Sequence, residues 1–145
     1  MTQHPEAGPF RSAIEVRWSD FDRYNHVNNA AYLEYAQDAR VAFFRGGLSA
    51  LLNTADIPPA VVRHVEIDFL RPILPDTRQV YVDTEITRVG NTSYTLEQTI
   101  KDQHENVSAI VKSVMVLFDL EKDEPIAISA SNRRALEHFS AKELS

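Results

Sequence analysis

The segment from residue 29 to 45, NAAYLEYAQDARVAFFR, constrains the fold more than any other part of the chain. Its spacing predicts one long helix, and Gly46-Gly47 directly after it reads as the stop. The polar positions Glu34, Gln37, Asp38 and Arg45 form a narrow stripe. Nearly everything else on the cylinder is apolar: Tyr32, Leu33, Tyr35, Val41, Phe43 and Phe44, with alanines at 30, 31, 36, 39 and 42. A helix apolar around most of its circumference has to be enclosed. The alanines let whatever encloses it come close.

The enclosure is predicted from the flanking segments. Residues 13–19 alternate, with Ile14, Val16 and Trp18 on one side and Glu15 and Arg17 on the other, which is strand periodicity. Four further strand-like segments follow the helix. Residues 61–70 set Val65, Ile67 and Phe69 on one face. Residues 79–89 alternate Val80, Val82 and Ile86 against Tyr81, Asp83 and Glu85. Tyr94, Leu96 and Ile100 mark one face of the next, and residues 107–120 are apolar on both faces, as suits a central strand. Turn residues at Pro72 and Pro75-Asp76, at Gly90-Asn91 and at 102–106 separate them, and the short spacing of the last three implies an antiparallel meander. Ser131 is the expected N-cap of a short terminal helix with Leu136 and Phe139 inward. Residues 48–53 read as a short helical or irregular piece, and residues 1–10 as a flexible N-terminal arm before one domain spanning 11–145. The predicted class is α+β: a curved five-stranded antiparallel sheet wrapped around one long helix, with a short C-terminal helix. Such a sheet leaves edges and an outer face to cover, so a homodimer or a dimer of dimers is expected.

Composition removes several function classes. The chain has 145 residues, enough for one domain with a real core, and no cysteine, which excludes disulfides and thiol catalysis. With 15 basic against 21 acidic residues the net charge is -6, and no Lys/Arg cluster stands out, so nucleic acid is not an expected partner. No apolar run is long enough to span a bilayer, and the first ten residues do not read as a signal peptide, so the expected location is cytoplasmic without membrane association. His4, His104 and His138 show no metal-ligand spacing, so neither metal nor cofactor is expected.

What the helix needs structurally does not account for the residues before it. Positions 20–29, DFDRYNHVNN, hold two acids, a histidine and three asparagines. A cap uses one asparagine, Asn28 or Asn29, and an acid is favourable near the positive end of the helix dipole. The remainder fits a reaction site. Unpaired N–H groups at the helix start can stabilise an oxyanion formed from a carbonyl. A carboxylate across from that carbonyl can attack it or deprotonate a water, and a neighbouring histidine can orient the water. Asp22, His26 and the N–H of Asn29 would make a minimal acyl-transfer site.

The stretch RWSDFDRYNHVNNAAYLEYAQDAR resembles the signature of the hotdog-fold acyl-CoA thioesterases, in the 4-hydroxybenzoyl-CoA thioesterase class. The resembling pattern is Asp-x-Asp, a short spacer, His-Val-Asn-Asn and a tyrosine in the long helix; the order of elements agrees over nearly the whole chain. The resemblance implies a catalytic carboxylate at Asp22 and a carbonyl-binding N–H at Asn29, with Asp20 holding local backbone. His26 matches a histidine of a subset of the family and of plant acyl-carrier-protein thioesterases. Those plant enzymes carry asparagine two residues after the Asp, where this chain has Tyr24; the asparagine comes one later, at Asn25. Tyr32 would line the acyl pocket or serve as a core tyrosine. His64, on the strand face opposite Val65, would approach from a neighbouring subunit or lie at the surface. Arg88 falls where the family often binds the anionic nucleotide of CoA, with Asn91 and Ser93 as accessory contacts.

The resulting expectation is hydrolysis of an acyl-CoA to free acid and CoA. Three other readings share the motif: a hydratase on the same fold, an acyl-carrier-protein thioesterase, and an acyl-CoA-binding sensor or scaffold without turnover.

Overall fold

A computed structural model describes residues 4–141 of the chain. Strand β1 (Phe10–Glu15) precedes helix α1 (Asn29–Ala42), which runs on through a π-helical turn (Phe43–Leu48) into the single turn α2 (Ser49–Leu51). Strands β2 (Ala60–Phe69), β3 (Gln79–Val89), β4 (Ser93–Lys101) and β5 (Val107–Asp119) follow, then the two-residue β6 (Glu124–Pro125) and helix α3 (Ala130–His138). The sheet order is β1-β3-β4-β5-β2, with β6 paired to the end of β5. Every pairing is antiparallel. The expected meander is β3-β4-β5, and β1 and β2 are the two edges.

α1 lies against one face of this sheet. Its Ala31, Tyr32, Tyr35, Ala36 and Ala39 are buried against Val80, Val82, Ile100, Ala109 and Val111. Beyond the alanines, a second cluster joins Phe43 and Leu48 to Ile86, Leu96, Met115 and Leu117, closed by Leu136 and Phe139 of the C-terminal segment. One polar contact fixes the helix along the sheet. The wholly buried Gln98 of β4 donates its Nε2 hydrogens to the mid-helix carbonyl of Ala36 at 2.9 Å and to Thr84 Oγ1 at 3.2 Å.

Three expectations are corrected by the structure. Strand periodicity placed Trp18 in the first strand, but β1 ends at Glu15 and Trp18 begins a 3-10 turn, with 92% of its surface exposed. The cause is Asp20, whose carboxylate accepts the backbone N–H of Arg17 at 2.9 Å and folds the chain back on itself. Gly46-Gly47 does not stop the helix; the π turn passes through both residues. A Cβ at Gly46 would sit 3.0 Å from the Phe10 ring, and one at Gly47 would sit 3.2 Å from both Phe139 and Phe43. The pair is there so that three mutually edge-on rings can pack on helix backbone. Lastly, the cap of α3 is Ser129 rather than Ser131: its Oγ accepts the Asn132 N–H at 3.1 Å. Leu136 and Phe139 do face inward.

Residues 1–3 of the expected arm lie outside the described residues. Of the others, Gly8 donates its N–H to the His138 carbonyl at 2.8 Å, His138 Nε2 meets the Pro5 carbonyl at 2.8 Å, and Phe10 belongs to β1. No helix among the described residues is long and apolar enough to cross a membrane.

Candidate active site

The polar stretch forms a tight loop fastened at both ends. Asp20, 4% exposed, is its anchor. One carboxylate oxygen accepts the Tyr35 hydroxyl at 2.7 Å and the Arg17 N–H, and the other lies 3.6 Å from the Arg17 guanidinium. Its carbonyl accepts both the backbone N–H of Asn28 at 2.8 Å and the Asn28 side-chain amide at 3.1 Å. Burial pushes the Tyr35 phenol well above its ordinary range, and the bond to Asp20 adds to the rise. The phenol is therefore a permanent donor to Asp20 at neutral pH. This matches the backbone-holding role expected of Asp20.

Between Phe21 and Val27, which form a β-bridge, the chain makes a closed turn. Asp22 donates its N–H to the His26 carbonyl at 3.0 Å and accepts the Asn25 N–H on its own carbonyl at 3.0 Å. Its side-chain Oδ1 accepts the Tyr24 N–H at 2.8 Å, an Asx-type turn. Asn25 takes φ +58, the left-handed region that asparagine tolerates better than most residues. That requirement explains an asparagine at 25 on backbone grounds alone. The side chains of Asp22 and His26 are exposed, and the imidazole makes no hydrogen bond among the described residues.

Asn28 is the cap of α1: its Oδ1 accepts the Ala31 N–H at 3.0 Å. Asn29 is thus the first helical residue, and its N–H has no carbonyl within the helix to bond to. Asp22, Asn25, His26 and Asn29 are each exposed, and all belong to the loop and first residue that lead into the positive end of α1. The arrangement supplies an ionisable acceptor, an imidazole and an open amide donor: the parts needed to polarise and attack a carbonyl.

The other sequence candidates lie elsewhere in the protomer. Tyr32 is a core residue, its hydroxyl bonded to the Ile73 backbone and its ring edge-on to Phe69 with centroids 5.2 Å apart. Burial raises its pKa. His64 pairs in register with Val114, whereas Val65 and Ile67 pair with Ser113 and Val111 beneath α1, so the imidazole is on the outer face, 3.2 Å from Glu66. Arg88, Asn91 and Ser93 sit at the far end of the sheet from Asp22. β1 joins the loop beside Gln79, and Arg88 is nine residues farther along β3, about 30 Å at strand rise. The turn there is closed by the Gly90 N–H on the Ser93 carbonyl at 2.7 Å and by Ile128 N–H on the Asn91 carbonyl at 2.8 Å. Arg133 of α3, which sequence reasoning missed, donates to the Gly90 carbonyl at 2.8 Å. A single arginine in a short helix carries no signal of this.

Also missed is a cavity of about 510 Å3 between the second half of α1, the 57–60 segment and the ends of β4 and β5. It contains none of Asp22, His26 and Asn29. Its walls come from five stretches distant in sequence, so no local pattern announces it. Among the described residues, no group of three or more His, Asp or Glu is placed to hold a metal.

Comparison with known proteins bears on the family and the fold. The family model of the thioesterase-like superfamily matches residues 16–136. A long-chain acyl-CoA thioesterase of Escherichia coli (strain K12), FadM, is 30% identical over 131 residues, covering 89% of this chain and 98% of that protein. A thioesterase of Thermus thermophilus solved with coenzyme A and zinc superposes with a TM-score of 0.78 at 27% identity, over 92% of this chain and 96% of the other. A predicted thioesterase of Bacillus stearothermophilus gives a TM-score of 0.79 at 26% identity, over 94% and 99%.

Proposed function

Since this chain belongs to the thioesterase-like superfamily, and is a thioester hydrolase of the hotdog fold, we propose that it hydrolyses acyl-CoA to free acid and CoA, with Asp22 as general base. The observation that carries the reading is an exposed Asp22 carboxylate, fixed by its own turn, in the loop that leads to the open N–H of Asn29. Oδ1 is engaged by Tyr24, which leaves the second oxygen to take a proton. A water attacks the thioester carbonyl as Asp22 removes its proton, and the oxyanion forms against the Asn29 N–H at the positive end of α1. Collapse of the tetrahedral adduct breaks the C–S bond. The CoA thiolate leaves and takes the proton back, giving thiol and carboxylic acid. His26, alongside, orients the water. The coenzyme A bound to the Thermus thermophilus relative supports CoA over a protein-borne thioester.

The reading includes a homodimer through β2. This edge strand exposes Val61, Val62, Val65 and Phe69, and α1 exposes Leu33 and Val41. An apolar edge of this length invites a second copy. Two β2 strands paired antiparallel about a dyad would set the Ala60 end of one protomer against the Phe69 end of the other. That is the arrangement in which Arg88, Asn91 and Ser93 of one protomer could reach a CoA whose thioester lies at Asp22 of the other. Val65→Asp is expected to shift the protein from dimer to monomer in sedimentation velocity and to lower kcat/KM with it. A monomer with full activity would show that each protomer carries a complete site.

The test of the activity is free-thiol release from acyl-CoAs of increasing chain length, with the same acyl groups on acyl-carrier protein in parallel. Turnover on CoA substrates is the expected result. Binding of acyl-CoA with no thiol release would replace hydrolysis by the sensor reading.

A further inference from the structure

The cavity at the far end of α1 has an unusual electrical make-up. Phe43, Leu96, Met115, Leu117 and Leu136 supply apolar walls, yet two arginines, Arg40 and Arg45, line it and no carboxylate does. In a chain of net charge -6 that is a marked local reversal. Arg45 is exposed at the rim, while Arg40 is largely covered. The Arg40 guanidinium has no ion pair or hydrogen bond among the described residues. Burial lowers its pKa, which registers the cost of holding an uncompensated charge there. Tyr94 lines the same cavity, and burial pushes its phenol up to about 12, so at neutral pH it stands as a neutral hydroxyl.

We infer that this cavity binds an aliphatic chain ending in a carboxylate, the carboxylate paired with Arg40 and the chain against Leu96, Met115 and Leu117. A guanidinium donates two parallel N–H bonds to a carboxylate, and a partly desolvated one gains more from the pair than an exposed one. The volume is within the range of small-ligand pockets, roughly 300–1,000 Å3. A carboxylate-ended chain has two sources. It is the free acid that thioester hydrolysis releases, or it is the far end of a dicarboxylic acyl group still attached to CoA. Both sources rest on the hydrolase reading above for their supply, but binding of the acid can be measured without turnover.

Isothermal titration of the full chain with decanoate tests the site directly, with decanol as the uncharged probe. Decanoate is expected to bind saturably, to weaken roughly tenfold or more in Arg40→Met, and to recover only part of that loss in Arg40→Lys, which restores the charge but not the paired N–H bonds. Decanol should bind wild type and Arg40→Met alike. Thiol release separates the sources: if Arg40→Met lowers turnover of a dicarboxylic acyl-CoA selectively against its monocarboxylic counterpart, the substrate's far carboxylate is the ligand. Weakened decanoate binding with unchanged substrate preference assigns the free acid. The inference is overturned if Arg40→Met changes neither, whatever the monocarboxylic activity proves to be; that activity tests acyl-CoA hydrolysis separately.

Discussion

Asp22→Asn is expected to release thiol at about one-hundredth of the wild-type kcat or less, with KM little changed. Asparagine has nearly the volume of aspartate, and its Oδ1 can still accept the Tyr24 N–H that closes the turn. The loop should therefore keep its shape and the protein its stability to within about 0.5 kcal/mol. What the substitution removes is the lone pair that accepts a proton from water. A loss confined to kcat then reports a group acting in the transition state, not one that holds substrate. Rates and urea midpoints measured on the same preparations keep the two apart. A variant that turns over within a few-fold of wild type would move the base elsewhere, with His26 next to be tested.

The second large effect is on stability. Asp20→Ala is expected to cost about 3 kcal/mol in urea unfolding, because it leaves the buried Tyr35 hydroxyl without its acceptor and releases the Arg17 N–H. The same residue's backbone carbonyl, which alanine keeps, holds Asn28, the cap of α1; without the carboxylate that anchors the segment, this clamp between loop and helix start loosens. Activity should fall along with stability even at temperatures where the variant is folded, since the Asn29 N–H and the Asp22 carboxylate are positioned through that clamp. Tyr35→Phe removes the donor instead and leaves a buried carboxylate oxygen short of one bond; a smaller loss of stability is expected. Equal unfolding midpoints for Asp20→Ala and wild type would refute the anchoring role.

Much of this architecture is local in sequence and so could be read from it. The apolar circumference of α1, the alternation along β3 and β4 and the short turns between β3, β4 and β5 are patterns over neighbouring residues, and the folded chain obeys them. The residues gathered around the helix start are likewise contiguous, which is why Asp22, His26 and Asn29 could be named together. What could not be read has two origins: contacts between distant segments, and local caps that alternation does not reveal. Gly46-Gly47 looks like a stop until Phe10 and Phe139 are seen resting on it. Trp18 continues an alternating pattern that a buried side chain two residues on interrupts. The separation of Arg88 from Asp22, and the cavity around Arg40, depend on which end of the sheet each segment reaches, and alternation carries no such information.

The bond from Gln98 to the Ala36 carbonyl has a consequence for how this protein can accommodate ligands of different length. A helix packed only through alanines and aromatic faces can slide along a sheet by small steps at little cost. A buried side-chain donor seated on one particular carbonyl removes that freedom, because a displacement of even one residue's rise, about 1.5 Å, would strand an amide in the core. Arg40 is therefore held at a fixed place against the cavity walls that β4 and β5 supply. A longer or shorter chain in that cavity would have to be met by side-chain rearrangement around Val41, Phe44 and the 57–60 segment, while the helix itself stays in place.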